Sequence, residues 1–160
     1  MILNRQRDVR ISISALEKFL KRAQARLRLP AGSLTVALVS NADIAGWNRS
    51  YRGKNRPTDV LSFPVKRSSP KRSARKSAAA KAAAATAGPA DSGDGPYLGD
   101  IAIAPAVARE NAARFGRTFE TEMRILILHG ILHLMGYDHE TDTGQMERRE
   151  RTLRRDLGIA

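Results

Sequence analysis

Apolar positions recur with two different periods along the 160-residue chain, and the alternation between them outlines the fold. Val9, Ile11 and Ile13 alternate with Arg10 and Ser12, which predicts a short strand. Ser14 and Glu17 form a capping-box pattern, and Leu16, Phe19, Leu20, Ala23 and Leu27 then recur at helical spacing towards Leu29 and Pro30. Leu34 to Val39 is a continuous apolar run of the kind a buried strand carries. Asn41 is placed to cap a short helix bearing Ile44 and Trp47. Asp59 to Pro64 and Leu98 to Ala104 read as two further strands, the first with a proline suited to a strand end or edge.

Pro105 can open a helix through Val107 to Phe115, which Gly116 interrupts. Thr118 caps a longer helix running to about Met135, with Glu120 and Glu122 in its first turn and Gly136 as its stop. A last helix is expected from Asp142, with Met146, Arg149 or Glu150, Leu153 and Leu157 at helical intervals and Gly158 at its end. The pattern predicts an α/β (α+β) fold in one compact domain: a small mixed sheet of about four strands packed with about five helices. No internal repeat is visible.

Residues 66–96 break the pattern. They contain almost no large apolar side chain and cannot bury enough surface to fold alone, so a flexible insertion between two strands is expected. Seven Lys or Arg against two Asp give this segment +5 of the chain's +12, which leaves +7 on the remainder. A basic excess on both parts attracts polyanions, of which nucleic acid is the commonest in a cell, and the segment itself is expected to add non-specific affinity for RNA. With 42% hydrophobic residues the chain is globular in composition. No apolar run reaches the ~18 residues of a membrane helix, and Met1 to Val9 lacks the apolar block of a secretory signal. Zero cysteines exclude disulfides and thiolate metal sites and are compatible with a reducing cytoplasm. A cytoplasmic location is expected, and neither a membrane nor DNA is expected as a partner.

The chain's three histidines fall within eleven residues: His129, His133 and His139. The first two stand four apart and share one helix face. Gly136 can turn the chain after the second ligand and let His139 complete a three-nitrogen set at the helix end. The spacing is that of the metzincin zinc site, and three neutral imidazoles suit zinc with a fourth position left open. One departure weakens a peptidase reading. Gly130 follows the first histidine where a zinc peptidase carries its general-base Glu. Asp59, Asp100, Asp138 and Glu140 remain candidates for an acidic group, and the sequence does not choose among them. A basic stretch, Tyr51 to Asp59, supplies Arg52, Lys54 and Arg56 for phosphate and an aromatic ring for a base.

The blocks YRGKNRPTDVLSFP (51–64), LGDIAIA (98–104) and HGILHLMGYDH (129–139) resemble the YbeY family of bacterial rRNA-maturation endoribonucleases, in the family's order. The similarity covers nearly the whole chain outside 66–96. It implies a small α/β domain with a metal in a cleft, one zinc ion at His129, His133 and His139, and Arg52 as the residue that handles phosphate or RNA. It implies single-strand-specific cleavage of ribosomal RNA, including small-subunit 3′-end processing, a part in ribosome quality control, and the ribosome or its proteins as partners. Two rivals share features of the sequence: a zinc metallopeptidase, and a non-enzymatic RNA-binding assembly factor with a structural metal.

Overall fold

The computed structural model describes residues 1–53, 58–65, 97–138 and 141–159. The segment 66–96, read above as an insertion, lies outside them, as do residues 54–57, 139, 140 and 160. Four strands are described, β1 (Ile2–Asn4), β2 (Leu34–Leu38), β3 (Val60–Pro64) and β4 (Gly99–Ile103). Five helices are described: α1 (Ile13–Arg26), α2 (Asn41–Arg52), α3 (Pro105–Arg114), α4 (Phe119–Leu134) and α5 (Gln145–Asp156). The sheet order is β1-β2-β4-β3, with β1, β2 and β4 parallel and β3 antiparallel to β4.

Strand periodicity sorts the side chains onto two faces. Leu34, Val36, Leu38, Ile101 and Ile103 face the main core, where Leu16, Phe19, Leu20 and Ala23 of α1 meet Met123, Ile127, Leu128 and Ile131 of α4 and Met146 and Leu153 of α5. The opposite face carries Ala37, Val39, Leu61, Phe63, Ala102 and Ala104, covered by Ile44 and Trp47 of α2. Helix α4 is buried almost all round, which suits its apolar sequence and its central position.

The strand expected over Val9 to Ile13 does not form. The side chain of Gln6 supplies the hydrogen bonds a neighbouring strand would have given: Oε1 accepts from Val9 N–H at 2.8 Å and Nε2 donates to Val9 O at 3.0 Å. The edge strand is instead Ile2–Asn4, paired with Val36 to Leu38. The expected capping box is also redistributed. Ser12, not Ser14, caps α1, and Glu17 Oε1 accepts from Ile2 N–H at 2.6 Å, tying β1 to α1. Helix α1 stops at Arg26 because Arg28 takes a left-handed conformation (φ 57°). Ser40 rather than Asn41 caps α2, and α5 begins at Gln145, with Asp142 accepting from the N–H groups of Gly144 and Met146.

Strand β3 lies at the sheet edge. Ala104 N–H donates to Asp59 O and Val65 N–H to Leu98 O, both at 2.9 Å. Odd-numbered residues of this strand therefore bond to β4, and the amide and carbonyl groups of Val60 and Ser62 turn outward.

Candidate functional site

Helix α4 presents its histidines through a gap in an otherwise closed surface. From Ile125 to Leu134 every residue is buried except His129 and His133. Their four-residue spacing stacks them on the same side of the helix. The two Nε2 atoms lie 3.1 Å apart, and the rings meet edge-on with planes 75° apart. In a tetrahedral zinc site with Zn–N bonds of about 2.0–2.1 Å, two ligand nitrogens stand about 3.3–3.4 Å apart. The observed pair fits that donor geometry within a few tenths of an ångström.

The helix ends just beyond. Tyr137 N–H donates to Leu132 O at 3.1 Å and Gly136 N–H to His133 O at 3.0 Å, a Schellman closure that needs the left-handed φ of 99° only glycine adopts easily. This turn starts the path that His139 was expected to follow. His139 lies outside the described residues, and among the described residues no group of three His, Asp or Glu side chains could hold a metal.

His129 and His133 open into a cleft of about 560 Å³ walled by β3. Tyr51, Arg52, Thr58, Asp59 and residues 60–64 line one side, and Gly136, Tyr137 and Asp138 line the end of α4. Arg52 and Tyr51, read above as part of a basic loop, belong to the last turn of α2, which Gly53 terminates with φ 69°. Basic residues Arg49 and Arg52 in this last turn also suit the negative end of the helix dipole. Tyr51 packs edge-on against Phe63, with centroids 4.7 Å apart, and stays 51% exposed, so much of the ring borders open space. The fold thus brings Arg52 into the same cleft as the two histidines.

The acidic candidates separate. Asp59 lines the cleft but is held by donors: Asn111 Nδ2 at 3.1 Å and Thr58 Oγ1 at 3.4 Å. Asp138 lines the cleft at the helix end. Asp100 sits elsewhere, on the α2 side of the sheet, where the Tyr97 hydroxyl donates to it and is also hydrogen-bonded to Thr35 Oγ1 at 2.8 Å. Burial raises the Asp100 carboxyl above the usual carboxylate range, with the Tyr97 hydrogen bond opposing, and burial likewise raises Tyr97. Glu140 lies outside the described residues.

The space around Gly130 explains why no general-base Glu stands there. A Cβ at this position would meet Ile101 Cγ2 at 2.8 Å and Cδ1 at 2.9 Å. Position 130 faces strand β4, not the cleft, and its carbonyl accepts from the Ser62 hydroxyl at 3.3 Å. Three features were not singled out from sequence as parts of the site: Ser62 and Tyr137, which line the cleft, and Glu150 behind it, whose Oε2 lies 3.6 Å from His129 Nδ1.

Fold and cleft define an α/β protein with a mixed four-stranded sheet and two convergent imidazoles at the edge of a groove that also holds an arginine. The family model described as Endoribonuclease YbeY matches residues 1–158. A Sulfurovum protein named Endoribonuclease YbeY is 34% identical over 157 residues, covering 98% of this chain and 90% of that protein. A Koribacter versatilis protein of the same name is 37% identical over 159 residues, covering 99% of this chain and 86% of its own length. A solution structure of a Thermotoga maritima protein superimposes with a TM-score of 0.51 at 27% identity, covering 98% of this chain and 89% of that one. The chain belongs to the YbeY endoribonuclease family. No described helix is long and apolar enough to cross a membrane.

Proposed function

We propose that this protein is a metal-dependent endoribonuclease that cuts single-stranded RNA during ribosomal RNA maturation, small-subunit 3′-end processing included, and in ribosome quality control. Ribosomal RNA and ribosomal proteins are its partners, and the cytoplasm is its place of action. The observation that carries this reading is the 3.1 Å approach of His129 and His133 Nε2 in a cleft that also contains Arg52.

His129, His133 and His139 would hold one zinc ion. A zinc ion so held supplies Lewis acidity towards a phosphoryl oxygen and lowers the pKa of water. The chain's own residues do the rest. Arg52 binds the phosphate and offsets its charge, in a guanidinium geometry that lysine does not reproduce. Tyr51 offers an exposed ring face on which an unpaired base can stack, an interaction open to single strands and closed to bases already paired in a duplex. Asp138 adds an acidic group to the groove at the end of α4. The peptidase alternative is disfavoured by the packing of Gly130 on Ile101, which leaves no room for the adjacent Glu.

The test is elemental analysis of the purified chain together with cleavage of single-stranded RNA, duplex RNA and an unfolded protein. Wild type is expected to contain zinc and to cut only the single strand. His133→Ala and Arg52→Ala are each expected to lose 10²-fold or more in rate, about the cost of removing a group that stabilises transition-state charge. Arg52→Lys is expected to recover little. RNA cleavage unchanged in His133→Ala, or cleavage of protein with RNA left intact, would overturn the proposal.

A further inference from the structure

Helix α5 places a carboxylate where its sequence pattern calls for an apolar side chain. Met146, Glu150 and Leu153 follow one another at the 4-3 spacing of a single helix face, and Met146 and Leu153 are fully buried in the main core. Glu150 stands between them with its side chain 16% exposed. A charge at such a position costs stability unless a partner compensates it. Its neighbouring glutamate, Glu147, is 74% exposed and pairs with Arg151 at the i,i+4 spacing, as a solvated helix charge does. Glu150 has a different orientation: its Oε2 lies 3.6 Å from Nδ1 of His129.

The two nitrogens of His129 therefore face opposite ways. Nε2 meets His133 Nε2 on the cleft side, and Nδ1 meets the Glu150 carboxylate at the back of the ring. A neutral imidazole carries its hydrogen on one nitrogen and a lone pair on the other, and the partner of one nitrogen decides which. A carboxylate accepts only. It favours the tautomer with hydrogen on Nδ1, which leaves the lone pair of Nε2 turned towards the cleft. At 3.6 Å the two atoms stand just beyond hydrogen-bonding distance; a closure of about 0.7 Å makes the hydrogen bond, and such contacts tighten when a site is loaded.

We infer that Glu150 is a positioning residue for His129: from helix α5 it fixes the tautomer and the ring orientation that turn Nε2 into a metal ligand. This rests on the proposal that His129 and His133 bind a metal. It adds that the site depends on a helix that does not line the cleft, and that a stretch of sequence outside the histidine motif tunes its affinity. Removing such a carboxylate partner weakens metal binding by about 10–100-fold in comparable sites.

The experiment measures zinc affinity of the full-length chain by competition with a chromophoric chelator, for wild type, Glu150→Ala, Glu150→Gln and Glu147→Gln. Folding stability is measured alongside on the metal-free proteins. Glu150→Ala is expected to lose 10–100-fold in zinc affinity while its metal-free stability holds or rises, since a buried carboxylate has been removed. Glu150→Gln keeps an oxygen that can accept from Nδ1 and is expected to recover part of the loss. Glu147→Gln is expected to match wild type. The imidazole ¹⁵N shifts of metal-free protein at pH 8 add a readout independent of metal: His129 is expected in the Nδ1–H form in wild type and in a mixture in Glu150→Ala. Zinc affinity within threefold of wild type in both Glu150 variants, with an unchanged tautomer, would overturn the inference. If Glu150→Ala does not fold, the tautomer and affinity of Glu150→Gln decide. A wild type that binds no zinc refutes the proposed metal site itself; the tautomer comparison then still judges Glu150.

Discussion

Adding a single methyl group at Gly130 tests how α4 is seated on the sheet. The Cβ of Gly130→Ala would lie 2.8 Å from Ile101 Cγ2, 2.9 Å from Cδ1 and 3.1 Å from Cγ1. Carbon pairs prefer about 3.5–4.0 Å, so helix and strand must part by about 0.7 Å or Ile101 must leave its rotamer. Ile101 is fully buried and has nowhere free to go. Overpacking of this kind costs about 1–3 kcal/mol. Replacing a helical glycine with alanine returns about 1 kcal/mol. The net expectation is a loss of up to about 2 kcal/mol, a fall in urea midpoint of about 1 M. Ile101→Ala removes all three obstructing carbons and by itself costs about 2–5 kcal/mol. In that background Gly130→Ala should stabilise by up to about 1 kcal/mol, because only the helix-propensity gain is left. The double-mutant cycle should therefore show a favourable coupling of about 1–3 kcal/mol. Urea titrations on metal-free protein, followed by far-UV circular dichroism and by Trp47 fluorescence, measure it. Equal effects of Gly130→Ala in the two backgrounds would refute the claim that contact with Ile101 dictates the glycine.

Three further outcomes follow from groups away from the cleft. Asp100 has a folded-state pKa raised by burial, so its contribution to stability is full below the unfolded value of 3.8 and is lost as pH rises through the folded one. Asp100→Asn still accepts from Tyr97 and should flatten stability against pH over that window without loss at pH 7; urea midpoints at pH 4.5 and 7.5 check it, and a variant less stable at pH 7 would contradict it. Glu122 has a side chain only 4% exposed, with Arg117 Nη1 2.8 Å away. Arg117→Ala strands that carboxylate and should cost about 3–5 kcal/mol, as breaking a buried pair does. Arg26, which pairs with Asp156 at the surface with 44% of its side chain exposed, should cost under about 1 kcal/mol on the same change in thermal unfolding.

Long elements with strong periodicity were legible from sequence. Leu34 to Leu38, Gly99 to Ile103 and the capped helix from Thr118 fall where their patterns place them. Strand β1 was not, because three residues carry no period, while Val9, Ile11 and Ile13 imitate one. Val9 is buried and the two isoleucines pack against the core, but Gln6 satisfies the backbone of Val9 without a ladder. Glu17 misled for a related reason: a carboxylate three residues after a serine suits a cap, yet it bonds to a residue fifteen positions away. In the candidate site, helical spacing foretold the convergence of His129 and His133, and glycine chemistry foretold the turn at Gly136. The arrival of Arg52 in the same cleft depends on how α2 crosses the sheet, and the approach of Glu150 depends on how α5 packs on α4. Both are tertiary facts with no local signature, although a glutamate on the apolar face of α5 was the available clue.

The outward amides of Val60 and Ser62 give the cleft a wall made of main chain. Peptide dipoles survive every side-chain replacement, so a ligand gripping them is insulated from most point substitutions. Pro64 lacks an N–H and ends the row after those two donors. The same wall is an invitation to foreign strands, as any open sheet edge is. A chain that zipped onto β3, an edge strand among the described residues, would plug the groove, so strand addition here and a ligand in the groove would exclude one another.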